Sequence, residues 1–226
     1  MTCPSPEVLP PVGAFGGTFD PFHRGHLRLA CAFRDELGLA EVRVIPTGAS
    51  PHRPTAHASP AQRFDMVTLA LADEPCLIPD NREVTRGRVC YTVETLESRR
   101  ATWGPARPLW LLVGADAFAG LMTWHRWEDL LTLAHLAVAL RPGFAVEALP
   151  APLQTLWHTR QAADFPNQSA AGRIRPLLLP PADISATAIR AALSQDHAVD
   201  DLVDARVLDY LRTARLYQTE SRKIAP

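Results

Sequence analysis

Lysine is almost missing from this chain. Of 226 residues only Lys223 is a lysine, so nearly all the basic charge is carried by arginine. That excludes a Schiff-base lysine outside the last few positions, and no G-x-x-x-x-G-K-[ST] phosphate loop can be drawn. Net charge is also missing: the formal value is -1, which offers no field for nucleic acid or an anionic membrane as partner. The four cysteines (Cys3, Cys31, Cys76 and Cys90) are scattered. No C-x-x-C pair and no metal spacing arises, and free thiols in a reducing compartment are the expectation. The first residues, "MTCPSPEVLPP", lack a basic region followed by an apolar stretch, and no apolar run approaches a membrane span. A cytoplasmic protein is expected.

What is present is an alternation. "VGAF" (12–15) is a short apolar run ending at glycines, as a first buried strand would. "HLRLACAFRDEL" (26–37) places Leu27, Ala30, Cys31 and Phe33 at helical spacing, with Gly38 as C-cap. "EVRVIP" (41–46) reads as a second strand, completing a βαβ unit and implying a parallel sheet. The segment 47–60 is too rich in Pro, Ser and His for regular structure, and a loop of that length after a strand tends to carry function. Ser59 caps a predicted helix that starts at Pro60. Further strands are predicted to end at Gly114, to span "LAHLAVAL" (133–140) and to cover "IRPLLLP" (174–180). Helices are predicted at "YTVETLESRRA", "SATAIRAALSQ" and the "DDLVDARVLDYLRTARLY" ending. The Pro- and Ala-rich stretch 145–172 reads only as a helical insert. The expected fold is an α/β open, doubly wound parallel sheet of the Rossmann-like kind, with a small C-terminal helical region. One domain over 11–217 is expected, between flexible termini at 1–10 and 218–226.

The chemistry gathers in "GGTFDPFHRGH" (16–26). Glycines after a strand let a ligand approach the backbone, and the next helix offers free N–H groups and its positive dipole end, an arrangement suited to phosphate. The G-x-x-G-G spacing from Gly13 is not the dinucleotide fingerprint. Asp20-Pro21 favours a turn. His23 and His26, three apart at a helix start, can face one side. Alternatives at this level are a surface or core histidine pair, or a zinc pair without an evident third ligand. A second element, "ISATAIR" (184–190), offers the hydroxyls of Ser185 and Thr187 at a helix N-terminus and the Arg190 fork one turn on.

Together these strings resemble the "G-G-T-F-D-P-x-H-x-G-H" and I-S-S-T-x-I-R elements of the nucleotidyltransferase superfamily. Ala186 stands where the second serine often does. Three stretches between them, "SPHRP" (50–54), "YTVETL" (91–96) and "GADAFAGLMTWHRWEDL" (114–130), are similar to bacterial nicotinate-nucleotide adenylyltransferases. So are "RPG" (141–143) and the C-terminal "LVDARVLDYLRTARLY". The sequence departs from that family after the second strand, where Thr47 and Gly48 replace frequent asparagines.

The resemblance implies transfer of AMP from ATP to nicotinate mononucleotide, giving deamido-NAD and pyrophosphate in NAD biosynthesis. It implies an ATP site of Gly16, Gly17, Thr18, Phe19, His23, His26, Asp116, Ser185, Thr187 and Arg190. His23, His26 and Arg190 would act on the phosphates and Asp116 on a ribose. His52 and Arg53 would meet the mononucleotide phosphate, Trp124 would stack on the pyridine ring, and Thr92 would read its carboxylate. Mg²⁺ is expected to arrive with ATP, no dedicated protein metal site is expected, and assembly into a homo-oligomer is left open. Alternative readings are preference for nicotinamide mononucleotide or another phosphorylated acceptor, and a nucleotide sensor without turnover.

Overall fold

The computed structural model describes residues 9–49, 56–162, 169–178 and 184–218. Its strands are β1 (Val12–Gly17), β2 (Glu41–Pro46), β3 (Leu77–Pro79), β4 (Leu109–Gly114), β5 (His135–Leu140) and β6 (Ile174–Leu178). They form one sheet in the order β3-β2-β1-β4-β5-β6, and the pairs β1–β4, β4–β5 and β5–β6 are parallel. The helices are α1 (Arg24–Glu36), α2 (Pro60–Ala70), α3 (Thr92–Trp103), α4 (Ala115–Ala119), α5 (Leu130–Leu133), α6 (Ala151–Arg160), α7 (Ala186–Ser194) and α8 (Ala205–Thr213). The strand order runs outward from β1 one way and then the other, which is the expected doubly wound arrangement. The reversal falls at β1, and the glycine–histidine stretch leaves the carboxyl end of that strand. None of the helices is long and apolar enough to cross a membrane among the described residues.

Continuous apolar runs suit strands covered on both faces. Residues 12–15, 109–113 and 135–139 are all buried. The edge strand β6 contains Pro176, a residue that an edge tolerates because it cannot donate to the ladder. Strand β3 is missing from the sequence reading. Its three residues "LIP" are too few for a period to show.

The chain clusters into two compact units. One comprises Met1–Phe15, Phe33–Val42 and Tyr91–Pro180, and the other Gly16–Ala32, Arg43–Cys90 and Pro181–Pro226. In the first, Leu96, Leu109, Phe118, Leu130, Leu136 and Leu153 are fully buried. Helix α1 ends there on Gly38, whose positive φ of 56° lets its N–H reach the Asp35 carbonyl and the Leu39 N–H reach that of Arg34. This is a Schellman cap, as Gly38 predicted. The 145–172 stretch supplies α6, pinned by Trp157, whose ring meets Phe118 at 5.5 Å and Phe144 at 5.6 Å. Arg100 staples the unit by donating to the carbonyls of Leu133, Gly104, Arg107 and Ala170. His135 is buried and donates from Nε2 to the Ser169 carbonyl while Nδ1 accepts from the Arg173 N–H. Burial pushes its pKa down, so this ring is a neutral structural group.

In the second unit Ser59 caps α2 through a complete capping box with Gln62. Helix α2 packs on β3 and α8. Asp204 caps α8, accepting from the Arg206 N–H at 2.9 Å. The expected flexible termini lie outside the described residues except for Leu9, Pro10 and Gln218.

Gly13 shows how tightly the first unit is filled. A Cβ there would stand 2.6 Å from Phe33 Cε1 and 2.8 Å from Leu39 Cδ1, and both side chains are buried. Gly13→Ala should therefore lower the free energy of unfolding by about 1–3 kcal/mol. Urea denaturation with an unchanged slope and a lower midpoint would show it; an unchanged midpoint would mean that the core yields freely.

Candidate active site

The glycines at the end of β1 serve different ends. A Cβ on Gly17 would collide with the Phe19 ring at 2.5 Å, so this position is closed to side chains by the loop itself. A Cβ on Gly16 would meet nothing within 4 Å. Gly16 is exposed, leaving its backbone open to an approaching ligand. Phe19 adopts a left-handed φ of 54°, and its ring packs against Phe22 and His26 at centroid distances of 5.1 and 5.0 Å. Its side chain is thus spent on shaping the loop. Thr18 is half-buried, and its carbonyl accepts from Arg63 Nη1 at 2.7 Å.

His23 precedes α1 and His26 is the third residue of that helix. The two imidazoles stack at 3.6 Å with 21° between their planes. Each ring also faces a backbone amide of the other residue: the His23 N–H donates to His26 Nδ1 at 3.3 Å, and the His26 N–H, bonded to the His23 carbonyl at 2.9 Å, also points at His23 Nδ1 at 3.4 Å. A backbone amide can only donate, so Nδ1 must accept in both rings. The neutral tautomer then carries its proton on Nε2. Gly25 makes the stack possible, since a Cβ there would lie 3.0 Å from His23 Nδ1.

His23 is 6% exposed, and burial pulls its pKa down to about 4. Phosphate charge favours a cationic imidazole. The protein scaffold alone opposes it, because desolvation penalises the charged ring. His23 is therefore a neutral Nε2–H donor near pH 7.

Arg190 joins the two sequence elements. Its Nη1 donates to the Asp20 carbonyl at 2.6 Å and its Nη2 to Thr187 Oγ1 at 3.3 Å. Ser185 is the N-cap of α7, its Oγ accepting from the Ala188 N–H at 3.1 Å. The serine oxygen thus accepts from the helix N-terminus. His23, His26, Thr187 and Arg190 fall within one compact unit.

Asp20 was legible only as a turn residue, yet it is 5% exposed and at the centre of a network. Its Oδ1 accepts from the Tyr217 hydroxyl at 2.6 Å and the Ala58 N–H at 3.0 Å, and its Oδ2 accepts from the His57 N–H at 2.8 Å. Burial raises the carboxyl pKa, but the Tyr217 hydroxyl, the two amides and the Arg190 charge outweigh it and hold it below the usual range. Arg63, also unnoticed in the sequence, is 2% exposed. Its helical spacing was the available signal, since Arg63, Met66, Val67 and Ala70 form the buried face of α2.

Three positions assigned from the sequence belong to the other unit. Thr92 is the first residue of α3 and half-buried. Trp124 is half-buried, and its N–H donates to the Leu121 carbonyl at 2.9 Å. Asp116 is exposed at the start of α4 and pairs with Arg141 at 3.0 Å. His52 and Arg53 lie outside the described residues. Among the described residues no three His, Cys, Asp or Glu side chains are grouped so as to hold a metal ion.

The buried imidazole has a measurable signature. Unfolded, His23 takes its proton near ~6.5; folded, it waits until about 4. Its contribution to stability is whole above the unfolded value and declines as pH falls toward the folded one. Between pH ~7.5 and ~4.5 it should cost the native state about 2.5 kcal/mol. Urea midpoints of wild type and His23→Asn across that range should converge on acidification, and parallel curves would contradict a neutral buried ring.

Comparison with known proteins identifies the family. A family model described as cytidylyltransferase-like matches residues 14–192. A Chromobacterium violaceum protein named "Probable nicotinate-nucleotide adenylyltransferase" is 54% identical over 208 residues, covering 92% of this chain and 98% of that protein. A Laribacter hongkongensis protein of the same name is 53% identical over 216 residues, covering 95% and 98%. The fold resembles that of a Plasmodium falciparum nicotinic acid mononucleotide adenylyltransferase complexed with NaAD, with a TM-score of 0.70 over 92% of this chain and 97% of that one. At 14% identity that likeness concerns the fold alone. With a family model matched over most of its length and relatives alike over almost their whole length, the chain belongs to the cytidylyltransferase-like family and, within it, to the nicotinate-nucleotide adenylyltransferases.

Proposed function

We propose that this protein transfers AMP from ATP to nicotinate mononucleotide, releasing pyrophosphate and forming deamido-NAD (nicotinate adenine dinucleotide), a step of NAD biosynthesis. The observation that carries the reading is the bond from Arg190 Nη1 to the Asp20 carbonyl, which ties the segment with the hydroxyls to the loop with the imidazoles. Donors of both kinds then serve one polyphosphate.

The acceptor supplies its own nucleophile. A phosphate monoester with a second pKa near ~6 is largely dianionic at neutral pH, so no protein base is required. One of its oxygens attacks the ATP α-phosphorus in line, a new P–O bond forms, and the bond to the β-phosphate oxygen breaks as pyrophosphate leaves. The protein's task is alignment and charge stabilisation. His23 and His26 donate from Nε2 to phosphate oxygens on which negative charge accumulates. Arg190, Thr187 and the N-terminus of α7 hold the β- and γ-phosphates, and Gly16 and Gly17 let the triphosphate lie against the backbone. Asp116 is assigned to a ribose, His52 and Arg53 to the mononucleotide phosphate, Trp124 to the pyridine face and Thr92 to its carboxylate.

The donor set around the histidines consists of imidazoles, amides and a guanidinium, with the Asp20 oxygens already engaged by Tyr217, His57 and Ala58. Such a set fits an anion and not a bare cation. Mg²⁺ is therefore proposed to enter on the ATP phosphates with its own waters, where it would neutralise charge on the departing pyrophosphate.

Purified protein should release pyrophosphate from ATP plus nicotinate mononucleotide, and more slowly with nicotinamide mononucleotide. Equal or reversed rates would assign a different acceptor, and ATP binding without pyrophosphate release would leave only a nucleotide sensor. His26→Ala should lower kcat by about 10²-fold or more, on the order of 3 kcal/mol of transition-state stabilisation, while the protein stays folded. Near-normal turnover by that variant would remove the histidine pair from the mechanism.

A further inference from the structure

Beyond the phosphate-binding residues, the second unit contains a buried polar network that the transfer mechanism above does not use. Tyr217 lies just past α8, where the chain takes left-handed backbone at two non-glycine residues, Arg215 (φ 50°) and Tyr217 itself (φ 62°). Side chains disfavour that conformation, and such strain persists only where the surroundings enforce it. Its product is the placement of the Tyr217 hydroxyl 2.6 Å from Asp20 Oδ1. Burial and the Asp20 charge push the phenol pKa up, so the hydroxyl remains a donor.

Asp20 is also where three chain segments meet. Its carbonyl receives Arg190, and its carboxylate receives the N–H groups of His57 and Ala58. Arg63 makes the same connection from below the loop. Its Nη1 donates to the Thr18 carbonyl at 2.7 Å, its Nη2 to that of Gly48 at 3.3 Å, and its Nε to that of Ala58 at 3.3 Å. Gly48 and Ala58 flank the segment that includes His52 and Arg53, and Thr18 belongs to the glycine–histidine loop. Gly48 has no room for a side chain, since a Cβ there would lie 2.4 Å from the Glu83 carbonyl oxygen. One carboxylate and one guanidinium thus fasten the donor-phosphate loop to both stems of the loop assigned to the acceptor.

We propose that Tyr217 is a positioning residue for adenylyl transfer, clamping Asp20 from the C-terminal tail so that the histidine loop, Arg190 and the stems of the acceptor loop stay in register. The proposal rests on the adenylyl-transfer reading. Tyr217 touches no reacting atom in it and acts through Asp20.

The molecule contains its own control. Tyr210, on α8, makes a second tyrosine–carboxylate bond, donating to Asp65 Oδ2 on α2 at 2.9 Å. Tyr217→Phe and Tyr210→Phe each delete one hydroxyl from the full chain. Tyr217→Phe should lower kcat about tenfold and raise KM for ATP and for nicotinate mononucleotide together. It should also weaken calorimetric binding of the non-hydrolysable analogue α,β-methylene-ATP about fivefold. Tyr210→Phe should leave all four values within twofold of wild type, whatever each variant does to the thermal midpoint. Values within twofold for Tyr217→Phe, or equal losses in both variants, would overturn the proposal. Should Tyr217→Phe fail to fold, Arg63→Lys keeps the charge but cannot span three carbonyls; it should show the same joint loss, and normal values in it would equally overturn the proposal. If wild type transfers nothing to nicotinate mononucleotide, the proposed reaction fails, and the analogue-binding comparison still decides the role of Tyr217.

Discussion

The bond between the Arg190 guanidinium and the Asp20 carbonyl is the contact on which the site depends. The two residues are far apart in sequence, one in a loop at the end of the first strand and the other in a late helix. Neither segment alone carries both kinds of donor: the glycine turn has the two imidazoles, and the capped helix has the arginine. Because the acceptor is a carbonyl, the bond leaves the Asp20 carboxylate to be satisfied by Tyr217, His57 and Ala58. A buried anion is tolerated because each of its oxygens is hydrogen-bonded and a cation lies near.

Much of this was written in the order of residue types. The apolar runs of β1, β4 and β5 are continuous because both faces of the sheet are covered, and that continuity made them readable. Ser59 and Gly38 punctuate helices by local chemistry, so their roles needed no tertiary knowledge. The histidine pair was legible because both partners fall within one short string.

What stayed hidden depends on distance along the chain. Tyr217 and Asp20 come together only in the folded unit, and an aspartate before a proline looks like any turn residue. Arg63 occupied a core-facing helical position, a mismatch between residue type and environment that signals a buried role without naming its three carbonyl partners. The depressed pKa of His23 was equally unreadable, since desolvation depends on what covers the ring. The bounds of α6 within the helical insert 145–172 stayed hidden, because its packing rests on Trp157 meeting Phe118 and Phe144 in a Pro-rich background.

The reciprocal backbone-to-ring bonds of His23 and His26 have a consequence for inorganic chemistry inside a cell. A transition-metal ion binds the lone pair of an imidazole nitrogen, and paired histidines often collect such ions. In this pair each Nδ1 faces a backbone amide, which favours the tautomer with the proton on Nε2. Capture of copper or zinc would require a ring to shed that proton, or to break its amide bond and reverse its tautomer. With that tautomer the outward nitrogens are donors, so metal capture by this pair carries an added cost that a histidine pair with free lone pairs does not have.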